Sequence, residues 1–401
     1  MSNRPTIADI AKRVGVSPGA VSFALNGRPG VSEQTRARIL EVAREMNWRP
    51  HRAARALGGA QAGVVGLVLA RDPRTLGSEQ FYTQILYGMQ DVLSARSSAV
   101  QIQIVRDTAA EIDLYRHWAA EHRVDGLVLV DLQLDDPRIA VVRELGLPAV
   151  TLGLPGDSDE PALLGGSDRP GDPDRPGDTE RPGGSERPAG SDRAGGSERP
   201  TGSERPGGSE RPGGSERPGK SGRLPSVWAD DAEAMTTIVD YLATLDHQRI
   251  AHVAGPPVYQ HTARRAAALD EQAAARGLHA ESVPTDFSDA QGAAATRALL
   301  SRADRPTAII FDSDLMAAAG LGVALEMGIE VPRQLSLVSF DDSVLTRIVH
   351  PALTCLSRDT YALGAQVATS LLAAIDNPAS RESIRTETPR LVVRGSTARP
   401  A

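Results

Sequence analysis

The sequence predicts an all-α head of three short helices joined to an α/β body of two doubly wound parallel-sheet lobes, with a disordered low-complexity insertion inside the body. Three observations carry this. Residues 6–48 hold three short amphipathic patterns separated by cap and turn residues, apolar strand-like runs alternate with helical patterns through the rest of the chain, and residues 165–218 divide without remainder into nine hexads. Alternation of strand and helix implies parallel sheets, because a parallel pair needs a long crossover that a helix supplies.

The first helix begins at a Thr6-Ile-Ala-Asp9 capping signal and places Ile7, Ile10, Ala11 and Val14 on one face. Gly15 supplies a tight turn. Ser17 followed by Pro18 is a cap with proline at the first helical position, opening a second helix that runs to about Leu25 with Val21, Ala24 and Leu25 inward. A third helix opens at Ser32 and carries Ile39, Val42, Ala43 and Met46 before Asn47 closes it. Helix, glycine turn, helix, helix is a helix-turn-helix layout. The charge agrees: residues 1–60 hold ten Lys/Arg against four Asp/Glu, net +6, which leaves −13 for the remainder of a chain whose total is −7. A basic head on an acidic body suits a module that neutralises nucleic-acid phosphates while the body stays off them.

In the body, strands are expected at 63–69, 100–105, 126–130 and 149–152, with helical patterns at 81–93 and 138–145. After the repeats the pattern restarts at 227–230 and continues with strands at 249–255, 281–283, 307–311 and 335–340. The hexads, of the form Gly-Gly-Ser-Glu-Arg-Pro, contain no apolar side chain larger than Ala, and their regular Pro and Gly oppose helix and ladder alike. Such a segment cannot bury enough surface to offset its ordering entropy, so 156–223 is expected to be disordered. Without the 54 repeat residues, 347 remain, the size of a small head plus one two-lobed core.

The single Cys355 excludes an internal disulfide framework. The start Met-Ser-Asn-Arg-Pro-Thr has no apolar signal core and no apolar run reaches membrane length, so a soluble cytoplasmic protein without membrane attachment is expected. Catalytic signatures are missing: there is no Gly-x-Ser-x-Gly elbow, no P-loop, no Gly-x-Gly-x-x-Gly after a strand, and the eight His lack metal-ligand spacing. Asp230-Asp231 and Asp341-Asp342 are adjacent pairs whose side chains diverge on a strand. The expectation is a protein that is not an enzyme and needs neither cofactor nor metal.

The head residues carry a resemblance. Thr6-Ile-Ala-Asp-Ile-Ala-Lys-Arg-Val-Gly-Val-Ser17, Val21-Ser22-x-Ala-Leu25-Asn26-Gly27, Val31-Ser32-x-x-Thr35-Arg36 and Asn47-Trp48-x-Pro50-x-x-x-Ala54-Arg55-x-Leu57 resemble the LacI/GalR family of bacterial transcription regulators. The resemblance implies a homodimeric regulator, in the main a repressor, whose second helix lies in the major groove of a near-palindromic double-stranded operator. It implies DNA contacts at Thr6, Ser17, Pro18, Gly19, Ser22, Phe23, Asn26 and Arg36. Pro18, Gly19 and Phe23 depart from the family's polar choices; with no side-chain hydrogen bonds to offer, they leave the operator sequence underived. Residues 49–59 resemble the family's hinge helix, with Leu57 as a minor-groove wedge, Ala54 as its close-packed neighbour, and His51, Arg52 and Arg55 beside the DNA. His51 stands where the family often has Asn. A plain linker whose Leu57 caps the body is the alternative.

The body resembles the family's periplasmic-binding-protein-like core, through Asp230-Asp231, His252-Val-Ala-Gly-Pro256, Phe340-Asp-Asp342 and Leu391-Val-Val-Arg-Gly-Ser-Thr397. The implied divisions are a head at 1–48, a hinge at 49–59, a first lobe from 62–155 and 359–387, the insertion at 156–223, and a second lobe from 224–358 and 388–398. Ligands of open α/β sheets sit beyond the carboxyl ends of strands, which directs attention to Arg265, Asp314 and Asp341. By matched position, Arg265 and Asp341 are a cationic and an anionic effector contact, Phe287 is a stacking aromatic, and Phe81 and Tyr82 line the cleft from the first lobe. Blander readings stay open at this stage: Asp341 as a strand-end cap, Arg265 as a solvated helix face, Phe81 and Phe287 as core. The set admits a sugar or a nucleobase. A small-molecule receptor without operator binding is the alternative function.

Overall fold

In the head, α1 (Ile7–Val14), α2 (Pro18–Leu25) and α3 (Glu33–Glu45) close over Ile10, Val21 and Ile39, all fully buried, with Ala11, Val14, Ala24 and Ala43 filling between them. The computed structural model describes residues 5–25, 27–48, 61–73, 80–154 and 223–401. Expectations placed on Asn26, on the hinge residues His51, Arg52, Ala54, Arg55 and Leu57, and on the repeats lie outside them. The cap chemistry is as the sequence implied. Thr6 N–H donates to Asp9 Oδ2 at 2.8 Å while Asp9 N–H donates to Thr6 Oγ1 at 3.3 Å, Ser17 Oγ accepts from Ala20 at 3.2 Å, and Ser32 Oγ accepts from Thr35 at 3.3 Å. Gly15, at φ 79°, takes the left-handed turn that ends α1.

The body continues with β1 (Val64–Leu69), α4 (Gln80–Ala95), β2 (Ala99–Ile104), α5 (Thr108–Ala120), β3 (Gly126–Leu129), α6 (Pro137–Leu145) and β4 (Ala149–Leu152). Beyond the insertion come β5 (Ser226–Trp228), α7 (Asp231–Thr244), β6 (Arg249–Ala254), α8 (Gln260–Arg276), β7 (His279–Pro284), α9 (Asp289–Leu300), β8 (Ala308–Phe311) and α10 (Asp314–Glu326). The chain ends with β9 (Ser336–Ser339), α11 (Val344–Ile348), β10 (Thr354–Ser357), α12 (Thr360–Asp376), β11 (Ser383–Arg385) and β12 (Arg390–Val392).

Two six-stranded sheets result, in the orders β11-β5-β4-β3-β1-β2 and β12-β10-β9-β8-β6-β7. Among the described residues the strands of both sheets pair in parallel, except β12 against β10. The second-lobe boundary expected at 224 needs correction. Ser226–Trp228 pairs with Thr151–Leu152 on one side and Ser383–Arg385 on the other, so the strand after the insertion completes the first sheet and the chain crosses after Trp228. The physical reason is burial: Ser226, Val227 and Trp228 are all inside, and a strand buried on both faces needs ladders on both edges. The chain passes between the lobes three times, after β5, β10 and β11.

In the first lobe α4 and α12 cross at reciprocal glycines. A Cβ on Gly88 would lie 1.9 Å from the Tyr361 carbonyl oxygen, and one on Gly364 would lie 2.1 Å from that of Ile85. Only glycine permits that approach. No helix among the described residues is long and apolar enough to cross a membrane.

Candidate functional site

On the head, Ser17, Pro18, Gly19 and Phe23 form an exposed strip along α2, with Ser22 half-buried beside it and Phe23 42% exposed. Thr6 is exposed at the start of α1. Arg36 is placed differently from the sequence expectation of a DNA contact. Its guanidinium turns inward, donating to the Ala24 carbonyl at 3.3 Å and the Arg28 carbonyl at 2.9 Å. The reason is local: carbonyls at a helix C-terminus lack intrahelical partners, and an arginine on the neighbouring helix supplies them.

Where the chain enters the body, a single carboxylate gathers consecutive amides. Asp125 accepts from Ala62 (2.6 Å), Gly63 (2.6 Å) and Val64 (3.1 Å), fastening the start of β1 to the loop before β3.

Between the lobes lies a cavity of about 490 Å³. Phe81, Tyr82, Arg265, Phe287, Asp314 and Asp341 all line it, so six positions drawn from both halves of the sequence converge on one space. Arg265, 5% exposed, is not a solvated helix residue: its Nε and Nη2 donate to Asp231 Oδ1 at 2.9 and 2.8 Å, its Nη1 to Asp312 Oδ1 at 3.0 Å, and Phe340 lies 4.1 Å beneath it. Burial alone would raise the Asp312 carboxyl, yet hydrogen bonds from His252 Nε2 (3.0 Å) and Gly255 N–H (2.8 Å) and the charge of Arg265 hold it well below the ordinary range. Burial pushes the Asp314 carboxyl up, with a Ser343 hydrogen bond opposing and the nearby Asp341 charge adding. Asp341 itself accepts from Arg358 at 3.2 Å, and that guanidinium lies 4.9 Å over Phe81. Burial and the adjacent Arg265 push His261 down to about 4, so it is neutral near pH 7.

The first lobe contributes a charged pair the sequence reading missed. Arg71 grips Asp131 with Nε and Nη2 at 2.6 and 2.7 Å, and Tyr82 donates to the same carboxylate at 2.8 Å. Against the cost of burial, Arg71 holds Asp131 down to about 2. Arg71 and Asp131 each stand two residues beyond a strand and Asp312 directly follows one, the same strand-end rule that flagged Asp341. Arg358 directly follows β10 and obeys the rule as well, whereas Tyr259 and His261 do not follow it.

A helix-turn-helix head ahead of a two-lobed α/β core with a ligand-sized interlobe cavity defines the class of two-domain DNA-binding regulators. Residues 6–51 match bacterial regulatory proteins of the lacI family, and residues 239–397 match the periplasmic binding protein-like domain. The chain thus carries a LacI-type DNA-binding domain together with a periplasmic-binding-protein-like domain, and the relatives it matches are HTH-type transcriptional regulators. It is 28% identical over 375 residues to the HTH-type transcriptional regulator CelR of Thermobifida fusca, covering 93% of this chain and 92% of the relative. Among solved structures it resembles a CelR complex with cellobiose (25% identity, TM-score 0.63, 98% of this chain and 100% of the other). It shares its fold with the lac repressor dimer bound to operator and the anti-inducer ONPF (22% identity, TM-score 0.70, 99% of this chain and 100% of the other).

Proposed function

We propose that this regulator is a cytoplasmic homodimeric repressor that binds a near-palindromic operator and is controlled by a small saccharide in the interlobe cavity. The observation that carries the reading is the composition of that cavity, in which ring faces (Phe81, Tyr82, Phe287) and polar side chains (Arg265, Asp314, Asp341) from both lobes meet around a space of about 490 Å³. Saccharides are gripped by that combination, aromatic faces taking the C–H surfaces of the sugar and charged groups taking its hydroxyls. The relative solved with cellobiose supports a disaccharide of glucose as the first ligand to try. The cavity carboxylates Asp131, Asp312 and Asp341 are each engaged by an arginine, which favours binding over acid–base catalysis. On the head, Ser17, Pro18, Gly19, Ser22 and Phe23 would face the major groove, and Leu57 would enter a minor-groove step once two subunits meet.

The test is a gel shift of the chain's own upstream region, repeated with cellobiose, maltose and a nucleobase panel. The reading expects a sequence-specific, salt-sensitive shift that a disaccharide changes. Ligand-induced thermal stabilisation without any specific shift would identify a receptor that does not bind an operator.

A further inference from the structure

The ring of Phe287, the aromatic expected to stack on a ligand, is already covered. One face lies against Gly255, where a Cβ would come within 2.1 Å of Cζ. Over the ring sits the Arg71 guanidinium from the opposing lobe, 4.5 Å from the centroid and 5.6 Å from that of Tyr259. Phe287 holds this position at φ 69°, a left-handed conformation that a bulky side chain adopts only when its surroundings impose it, and one that concentrates at ligand clamps. Arg71 is equally fixed. Asp131 binds it through two hydrogen bonds, the Tyr82 ring lies 5.3 Å from it, and Asp131 is braced from behind by Arg138, whose Nη2 donates to the Asp131 carbonyl at 2.9 Å. Arg138 is in turn buried between Asp136 and Glu111.

Beside this contact the two lobes share a short ladder. Leu134 N–H donates to the Val258 carbonyl at 3.0 Å, Gln260 N–H to that of Leu132 at 2.8 Å, and Gln260 Nε2 to that of Gln133 at 2.8 Å. The first-lobe residues of the ladder directly follow Asp131 and the second-lobe residues flank Tyr259. The guanidinium and the ladder therefore act on the same pair of segments.

We propose that Arg71 is the specificity-determining residue of the cleft, an internal ligand whose guanidinium occupies the Phe287 face and which any stacking ligand must displace. This rests on the reading of the cleft as the effector site. A planar, weakly hydrated cation over an aromatic face is a favourable pairing, so it competes with a neutral ring. The consequence has an unusual sign: removing a charged group from the cavity tightens binding of a neutral sugar and, at the same time, loosens the lobes.

The experiment uses the full chain and two variants, Arg71→Met and Arg71→Met/Asp131→Asn, the second leaving no carboxylate unpaired should the first fold poorly. Spin labels on cysteines introduced at exposed Gln103 and Asp304, one per lobe, report the interlobe distance by electron double resonance, with Cys355 buried and silent. Cellobiose and maltose are then titrated calorimetrically. The proposal expects longer or broader interlobe distances in the variants without sugar, and about tenfold tighter sugar binding, the range a displaced cation–π contact implies. Unchanged distances, or sugar binding that is equal or weaker in the double variant, overturn it. If no sugar binds any of the three proteins while the distances lengthen, the Arg71 contact stands and the saccharide reading falls.

Discussion

Replacing Arg265 by Met tests how the second lobe is held at the cleft. Methionine keeps most of the stem's volume and its packing on Phe340, and removes the charge that lies between Asp231 and Asp312. Breaking one partner out of a buried ion pair costs roughly 3–5 kcal/mol, because the remaining carboxylates stay desolvated without compensation. The lower end applies here. Asp231 is 17% exposed and reaches water, and Asp312 keeps the His252 and Gly255 donors. At about 2–4 °C per kcal/mol for a domain of this size, a loss of about 3 kcal/mol lowers the melting temperature by roughly 6–12 °C. Differential scanning calorimetry of the full chain measures it. Adding Asp312→Asn should recover part of the loss, since an amide is far cheaper to bury than an unpaired carboxylate. A drop of less than about 3 °C for Arg265→Met would refute the reasoning and return Arg265 to the role of a ligand contact alone.

Four further outcomes are expected. Gly364→Ala forces a Cβ to 2.1 Å from the Ile85 carbonyl oxygen, a backbone contact that no rotamer change relieves. Overpacking of this kind costs about 1–3 kcal/mol or more, and a denaturant midpoint equal to wild type would show that α4 and α12 slide freely. His261 is held near 4 against an ordinary value of 6.5, so the folded protein disfavours its protonation. Its contribution is whole above pH 6.5 and falls as the pH drops toward 4, by roughly 3 kcal/mol across the window; melts of His261→Asn should show a shallower pH slope, and an equal slope counts against it. Deleting 165–218 leaves nineteen residues, 153–164 and 219–225, to cross between the parallel strands β4 and β5. Since such a crossover needs about a dozen, the melting temperature should stay within about 2 °C, and a fall of several degrees contradicts a dispensable insertion. Leu57→Ala should weaken specific operator binding while sparing much of the non-specific binding, and equal loss of both in gel shifts would exclude a wedge role.

The head was legible almost residue by residue, because caps, a glycine turn and a 3.6-residue apolar period are local signals that no distant contact overrides. The central strands were legible for a similar reason: Val64–Leu69, Gly126–Leu129 and Ala308–Phe311 are continuous apolar runs, the mark of strands covered on both faces. Ser383–Arg385 was not, since three residues carry no periodicity, and the restart at Val227 was legible only as a restart, its place in the first sheet lying in its neighbours. At the cleft the distinction is between position and partnership. Strand ends pointed to Arg265, Asp314 and Asp341, but that Arg71 meets Asp131 sixty residues on, and Phe287 in the other lobe, depends on lobe geometry that no local pattern encodes. Arg36 shows the converse: its place in a family motif suggested DNA, while the carbonyls of Ala24 and Arg28 decided where its guanidinium went.

The grip of Asp125 on the amides of Ala62, Gly63 and Val64 makes the entrance to the body a hard mount. The first strand cannot pay out or take in slack when the lobe turns, because its leading amides are tied to the loop before β3, two strands' worth of sheet that move as one piece. Any displacement of the loop before β3 is therefore carried at full amplitude to Ala62, the first tethered residue of the body.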